Sequence, residues 1–335
     1  MPVEGVFTMI KKLLLALSCA ILLSTASYAE GTTWYKGNIH CHTKNSDGLS
    51  SPEKVIKWYQ KNGYNFISIT DHNTLTAVEK VPDTSSPFLL IPGEEVTDSF
   101  NKKPVHTVAL NIRSLVLPQH GDSIKKTLQR DINAINEAGG IAQINHPHWR
   151  WSFDAQSLEN ITGAVLLEVF NTNLECNNEG AGGYPGTEEM WDQLLTRGVR
   201  IYGTAADDAH YYEGTHNREH SYAGSGWIMV RAPKLTAGDI INSLKSGNFY
   251  GTTGVLLNNV TVNEHEYAIE VAPLRDCRFT ILFIGKNGEV LKKENGTKSR
   301  YLFKGDELYV RAKVIATSGE FAITQPVFLK ELKKK

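Results

Sequence analysis

The stretch Asn38-Ile39-His40-Cys41-His42, with Asp47-Gly48 four residues further on, carries residue types that bind metals. Two imidazoles at i and i+2 of a strand project from one face, because strand side chains alternate with period 2. A carboxylate arriving one short loop later can converge on them. Neutral imidazole nitrogens and carboxylate oxygens suit zinc, manganese or iron. A lone His-x-His is more often ordinary polar surface, so a metal site needs further ligands downstream. Thr70-Asp71-His72-Asn73, Gly93-Glu94-Glu95, Asn145-His146-Pro147-His148 and Asp207-Asp208-Ala209-His210 come just after apolar runs, and His106 lies within one. Six of the eleven histidines are placed in this way, whereas His120, His148, His216, His220 and His265 show no such regularity.

The elements that must position these residues alternate. Strands are expected at Trp34–Ile39, Phe66–Ile69, Phe88–Ile91, Val105–Leu110, Ile141–Ile144, Ala164–Phe170, Val199–Gly203 and Gly226–Val230. Helices are expected from Pro52 to Gly63 with Ser51 as cap, from about Asp122 to Glu137, over Glu188–Leu195, and after Thr236. From about Gly254 only short alternating runs occur: Leu257–Val262, Tyr267–Val271, Phe279–Ile284, Leu308–Ile315 and Ala322–Phe328. They are separated by turn signals such as Lys286-Asn287-Gly288. The fold class is α/β: a β/α barrel-like domain over residues 31–253 and a small C-terminal β-sandwich over 254–330. In a β/α barrel the C-terminal strand ends gather round one mouth, which is where the candidate ligands fall.

Composition sets the remaining bounds. The 335 residues are 41% hydrophobic and 21% charged, with a formal net charge of −1. That balance is globular and carries no basic stripe, so no nucleic-acid partner is expected. Lys11-Lys12, an apolar run from Leu13 to Leu23, and Ser27-Tyr28-Ala29 read as a signal peptide over 1–29, with Met9 a plausible start. The run is about half the ~20 residues that span a bilayer, so no transmembrane anchor is expected. Cys19 is a poor lipidation match. The expected location is secreted or periplasmic, with cleavage after Ala29. Cys41, Cys176 and Cys277 are then too few and too scattered for a disulfide framework, and Cys41 should point into the core.

Taken together, the His-x-His with its Ser46-Asp47-Gly48, the Thr-Asp-His, the Gly-x-Glu, the His-Pro and the Asp-x-His resemble the polymerase and histidinol phosphatase (PHP) superfamily of metal-dependent hydrolases. The resemblance spans Gly37–His210 in the family's order. Gly63–Asn73 and Thr324-Gln325-Pro326-Val327-Phe328 resemble a secreted branch related to the carbaryl-hydrolase-like members. The resemblance implies a distorted (β/α)7 barrel holding up to three divalent ions (Zn, Mn or Fe). His40, His42 and Asp208 would hold one. Glu95 would bridge to a second, held by His106 and His146. Asp47, His72 and His210 would hold the third, and Asp71 would fix an imidazole by hydrogen bond. Glu94 reads as a solvated or helix-pairing carboxylate.

The expected chemistry is hydrolysis by a metal-bridging hydroxide, with Asp208 or His210 protonating the leaving group. No Gly-x-Ser-x-Gly elbow or P-loop is present, so a serine route has no support. Arg150 and His148, with Trp149 and Trp151, are the candidate substrate contacts. Arg150 suits a phosphate and the indoles suit a ring. Tyr211, Tyr212 and Arg218 are further rim candidates. The favoured reading is a phosphoesterase acting on a small-molecule phosphate ester. The alternatives are a carboxylic or carbamic ester hydrolase, a nucleic-acid exonuclease, and a secreted binding protein whose metals are structural. The sequence leaves oligomeric state open.

Overall fold

In the computed structural model of the chain, residues 31–78, 87–214 and 220–332 are described. The signal segment, Cys19, His216, Arg218 and the lysines at 333–335 lie outside them. Strands β1 (Thr33–Asn38), β2 (Phe66–Ile67) and β3 (Leu89–Leu90) run parallel and continue one large sheet through β9 (Trp227–Ala232) and β10 (Phe249–Thr252). A second sheet has the order β4 (Gly93–Phe100), β5 (Lys103–Leu110), β6 (Ile141–Ile144), β7 (Ala164–Asn171) and β8 (Tyr202–Ala206). Its β4–β5 and β5–β6 pairs are antiparallel, and its β6–β7 and β7–β8 pairs are parallel. Isolated bridges join the two sheets at strand ends, His72 to Glu95 and Cys41 to Ala209. Among the described residues no helix is long and apolar enough to cross a membrane.

Helices cover the outer faces: α1 (Pro52–Lys61), α2 (Ile124–Glu137), α3 (Ala155–Leu158), α4 (Thr187–Thr196) and α5 (Ala237–Lys245). Proline at the start of α1 costs no hydrogen bond there. The Ser123 hydroxyl caps α2 by accepting from the Lys126 amide, and Leu128, Ile132 and Ile135 bury its inner stripe against the second sheet. In α4, Trp191 is fully buried, and its indole N–H donates to the Ile201 carbonyl at 3.0 Å. A Cβ at Gly37 would lie 2.0 Å from the Phe66 ring, so the β1–β2 pairing requires glycine there.

The expected boundary near residue 254 falls inside a continuous sheet. β10 pairs antiparallel with β17 (Phe321–Thr324), which leads on to β16 (Tyr309–Ala316), β13 (Phe279–Ile284) and β14 (Val290–Asn295). A separate sheet of β11 (Leu257–Val262), β12 (Glu266–Val271) and β15 (Lys298–Leu302) packs on this extension. Tyr267 and Ile269 share one apolar cluster with Ile281, Phe283 and Val314. The Arg311 guanidinium, on β16, reaches back to α4, where Asp192 and Glu188 receive it.

Four strands lie outside the sequence expectations, β10 being one. Gly93–Glu95 is the start of an eight-residue strand, not a loop beyond one, and β14 and β15 fill a stretch with no expected element. The β4–β5 hairpin turns on Asn101-Lys102, both with positive φ (49° and 67°), a turn more often signalled by Asn-Gly. Lysine in the second position hid it. The Lys286-Asn287-Gly288 signal does mark the turn between β13 and β14.

Candidate metal centre

All nine candidate ligands converge on one mouth. β1 ends at Asn38, and the chain carries His40 and His42 on from it with both rings fully buried. The next loop folds back on them: the Gly48 amide donates to the Thr43 carbonyl at 2.9 Å and the Leu49 amide to the His210 carbonyl at 3.0 Å. A Cβ at Gly48 would lie 2.6 Å from the His42 carbonyl group, so only glycine lets the loop close this far. That closure puts Asp47 Oδ1 3.5 Å from His42 Nδ1 and Asp47 Oδ2 within 3.4 Å of His72 and 3.3 Å of His210. Alternation on β4 sends Glu95 inward. Asp208, in a left-handed conformation (φ 46°), turns its carboxylate into the site, while Asp207 points away.

Glu95 is the hub. Its Oε2 lies 3.4 Å from His40 Nε2, 3.4 Å from His42 Nε2 and 3.0 Å from His72 Nδ1. Its Oε1 lies 3.2 Å from both His106 and His146. Asp208 Oδ1 lies 3.2 Å from His40 Nε2 and 3.0 Å from His42 Nε2. Four ligand groups emerge, each with donor atoms within 4.8 Å of one another: His42–Asp47–His72–His210, His40–Glu95–His146, His40–His42–Asp208 and His72–Glu95–His106. His40, His42, His72 and Glu95 each belong to two. The nine residues therefore do not divide into three separate triplets.

The donor set can be tested for its fit to divalent ions on its own atoms. His40 Nε2, both ring nitrogens of His42 and Glu95 Oε2 are buried with no hydrogen-bond partner. Each such atom left unpaired costs about 1–3 kcal/mol, and here they face one another across a shared space. The electrostatics point the same way. Burial pushes Glu95 and Asp208 up, yet the surrounding imidazoles, His40 foremost, hold both well below the usual carboxylate range. Burial lowers His72, but Glu95 and Asp47 outweigh it and push the ring up to about 10. Asp47 and Asp208 similarly push His210, against burial, up to about 9. Burial lowers His42 and His106, which favours their neutral, ligating form, and with unpaired nitrogen and oxygen donors aimed inward the site fits divalent cations.

Residues that the sequence reading passed over hold this arrangement. Glu168 is buried on β7, and its Oε1 accepts from His40 Nδ1 at 2.8 Å. That contact leaves Nε2 as the lone pair facing Asp208 and Glu95. Glu168 Oε2 accepts from the His146 amide (2.7 Å) and from Asn171 (2.9 Å), and Asn171 also donates to Asp208 (3.1 Å). Asn145 donates to Glu95 at 2.8 Å, and the Thr97 hydroxyl meets His72 Nδ1 at 2.6 Å. The signal for Glu168 was present: it is the only charge in the otherwise apolar strand Ala164–Phe170.

Several expectations are corrected. Among the described residues Asp71 bonds to no imidazole; it accepts from Thr43, Ser46 and Thr76 and so ties down the loop that carries Asp47. Glu94 is not solvated. It is buried on the opposite face of β4 and accepts from the Val116 amide at 2.6 Å. His148 is 2% exposed, its ring 5.1 Å from Trp151, so it lies beneath the rim and not on it. Tyr212 is buried, its hydroxyl donating to the His42 and Ala209 carbonyls. Tyr211 stacks on His220.

Arg150 is exposed, its guanidinium 5.0 Å from the centre of the Trp149 ring. Trp149 itself packs 5.1 Å from His106 and 5.3 Å from His146, which places this turn against the metal centre. Arg150 and Trp151 both have φ 52°, a backbone conformation costing a non-glycine residue about 1–3 kcal/mol. Neighbours hold them there. The amides of Trp149, Trp151 and Phe153 donate to His146, His148 and Pro147 carbonyls, and Lys103, Ser152 and Asn177 side chains bond the carbonyls of Trp151, Trp149 and His148.

No family model matches the chain. It is 33% identical over 79 residues to the 5'-3' exoribonuclease Rnm of Salmonella typhimurium, and 28% identical over 78 residues to a 5'-3' exoribonuclease of Haemophilus influenzae. These stretches are 22% and 23% of this chain, and the chain spans only about a quarter of each relative's length (27% and 28%). Among solved structures it is similar to a two-domain protein from Bacteroides vulgatus containing a predicted PHP-like metal-dependent phosphoesterase. That similarity covers 88% of this chain and 96% of the other at 17% identity, with a TM-score of 0.49. It is also similar to a lesion-specific endonuclease from Pyrococcus furiosus, with 13% identity, 64% of this chain and 56% of the other covered, and a TM-score of 0.40. Similarity at this level assigns no activity.

Proposed function

We infer that this chain belongs to the PHP superfamily and is a multi-metal-dependent hydrolase of phosphate esters, exported from the cell that makes it. One observation carries the reading: nine candidate ligand side chains from separate stretches of the chain share one mouth, four of them each in two ligand groups. Sharing brings neighbouring ions close together, whereas structural sites are closed by their own four ligands. The ordered sequence motifs support the family, with a distorted (β/α)7 barrel and a C-terminal β-sandwich as its architecture.

The ions, held by His40, His42, Asp47, His72, Glu95, His106, His146, Asp208 and His210, would acidify water and draw charge from the ester oxygens under attack. The chain's own part is orientation. Glu168 fixes the His40 ring, and Asn145 and Asn171 fix the carboxylates of Glu95 and Asp208. His210, 21% exposed at the entrance, has Nδ1 2.8 Å from the Asp208 carbonyl, and this bond would turn Nε2 toward the ion space beside Asp47. Arg150, exposed above Trp149, is the phosphate contact; His148 supports the turn from below.

A second reading, hydrolysis of a nucleic-acid end, draws on the exoribonuclease matches. It also removes the ground for expecting no nucleic-acid partner. The test is turnover of p-nitrophenyl phosphate, p-nitrophenyl acetate and a 5'-phosphorylated oligoribonucleotide by metal-loaded protein and by His40→Ala. Phosphate-ester turnover lost in the variant supports the proposal, and turnover retained in it defeats the site assignment.

A further inference from the structure

We propose that Arg150, Trp151 and Tyr184 form a subsite for a phosphate ester whose organic group carries a flat aromatic ring, nucleobase or aryl. The proposal rests on the phosphoesterase reading and names its substrate class. Trp149 links the rim to the chemistry, since its ring packs on His106 and His146 while Arg150 lies over it. Among the described residues nothing pairs with the Arg150 guanidinium. Stacking on an indole leaves the donor edge of a guanidinium free, and that edge matches two phosphate oxygens.

One residue on, the Trp151 ring lies 4.8 Å from that of Tyr184 at 38°. Tyr184 is 62% exposed, at the end of a turn through Gly182 and Gly183, both with positive φ. A large aromatic residue so exposed gains little from the fold and offers a π-face to a ligand. The strained backbone of Arg150 and Trp151 lies in a turn held by six hydrogen bonds, two of them on Trp151 itself, and carries the cation and the ring on consecutive residues. A ring-free ester would engage only the cation. A ring-bearing ester would engage both, by the stacking that single-stranded nucleic-acid binders use.

The experiment is calorimetric binding to the metal-loaded full chain, using phenylphosphonate against methylphosphonate and adenosine 5'-monophosphate against ribose 5-phosphate. Within each pair the phosphorus group is shared and only the ring differs. The ring-bearing member should bind about tenfold tighter, and Tyr184→Ala should cut that preference to under about threefold. Tyr184 is exposed enough for the variant to fold. Preference in the adenosine pair alone identifies a nucleobase, and preference in both pairs any flat ring. Affinities within about twofold in both pairs, or a preference that survives Tyr184→Ala, would overturn the subsite. Because binding is read without turnover, the two ideas fail separately. Ring preference with no phosphate-ester hydrolysis defeats the phosphoesterase reading, and hydrolysis without ring preference defeats the subsite.

Discussion

Glu168 Oε1 lies 2.8 Å from His40 Nδ1, and this contact decides which nitrogen of His40 faces the metal centre. Glu168→Ala should weaken divalent-metal affinity about 10–100-fold, the usual effect of removing a partner that orients a ligating histidine. Glu168→Gln keeps an acceptor for His40 Nδ1 but turns its NH2 toward the His146 amide and Asn171, so it should lose affinity too, though less than Glu168→Ala. Competition titration against a chromophoric chelator measures both. Equal affinity in wild type and Glu168→Ala would show that the contact orients nothing.

The unpaired donors around Glu95 predict that metal stabilises the fold. Ions that bind the folded chain and not the unfolded one add stability with their concentration, about 2.7 kcal/mol at a hundred times Kd. Stripping with a chelator should therefore lower Tm, and readdition of zinc or manganese should restore it. An unchanged Tm would mean that the cluster holds no ion tightly.

Glu94, buried behind β4, predicts a pH effect away from the centre. Burial pushes its carboxyl from an ordinary 4.5 up to about 7, against the lowering effect of the Val116 amide. Between those values the folded chain keeps a proton that the unfolded chain has released, so stability falls as pH rises through that window. Glu94→Gln should raise stability at pH 8 by about 1 kcal/mol, with the gain vanishing below about pH 5. Chemical denaturation at the two pH values measures it.

Arg311 tests whether residues beyond 254 are an independent appendage. It is fully buried, and Asp192 and Glu188 on α4 bind it across the expected boundary. Arg311→Met would strand those carboxylates and should cost about 3 kcal/mol or more. Calorimetry of the wild type should show both halves unfolding in one transition. Two separated transitions, with only the later-sequence half affected by the substitution, would make the boundary real.

The site was more legible in the sequence than the fold around it. Ligand positions could be read because strand-end placement and residue type are local, which is why His40, His42, His146 and Asp208 were found together. Their sharing could not be read, since it depends on how far Gly48 lets the Asp47 loop close and on the inward turn of Asp208. Glu95 was placed beyond a strand because Asn101-Lys102 is a weak hairpin signal. The continuity of β10 with β17 depends on pairing across about 70 residues, a separation at which local pattern says nothing. Asp71 was misread for a related reason: a carboxylate beside a histidine in sequence can point the other way in space.

The central claim, several ions in one hydrolytic mouth, is tested most directly by metal analysis of the purified chain in parallel with p-nitrophenyl phosphate hydrolysis. The prediction is at least two divalent ions per chain, with activity that disappears on chelation and returns in step with occupancy. A chain that binds one ion or none when metal is in excess, or that turns over equally well after stripping, would contradict it.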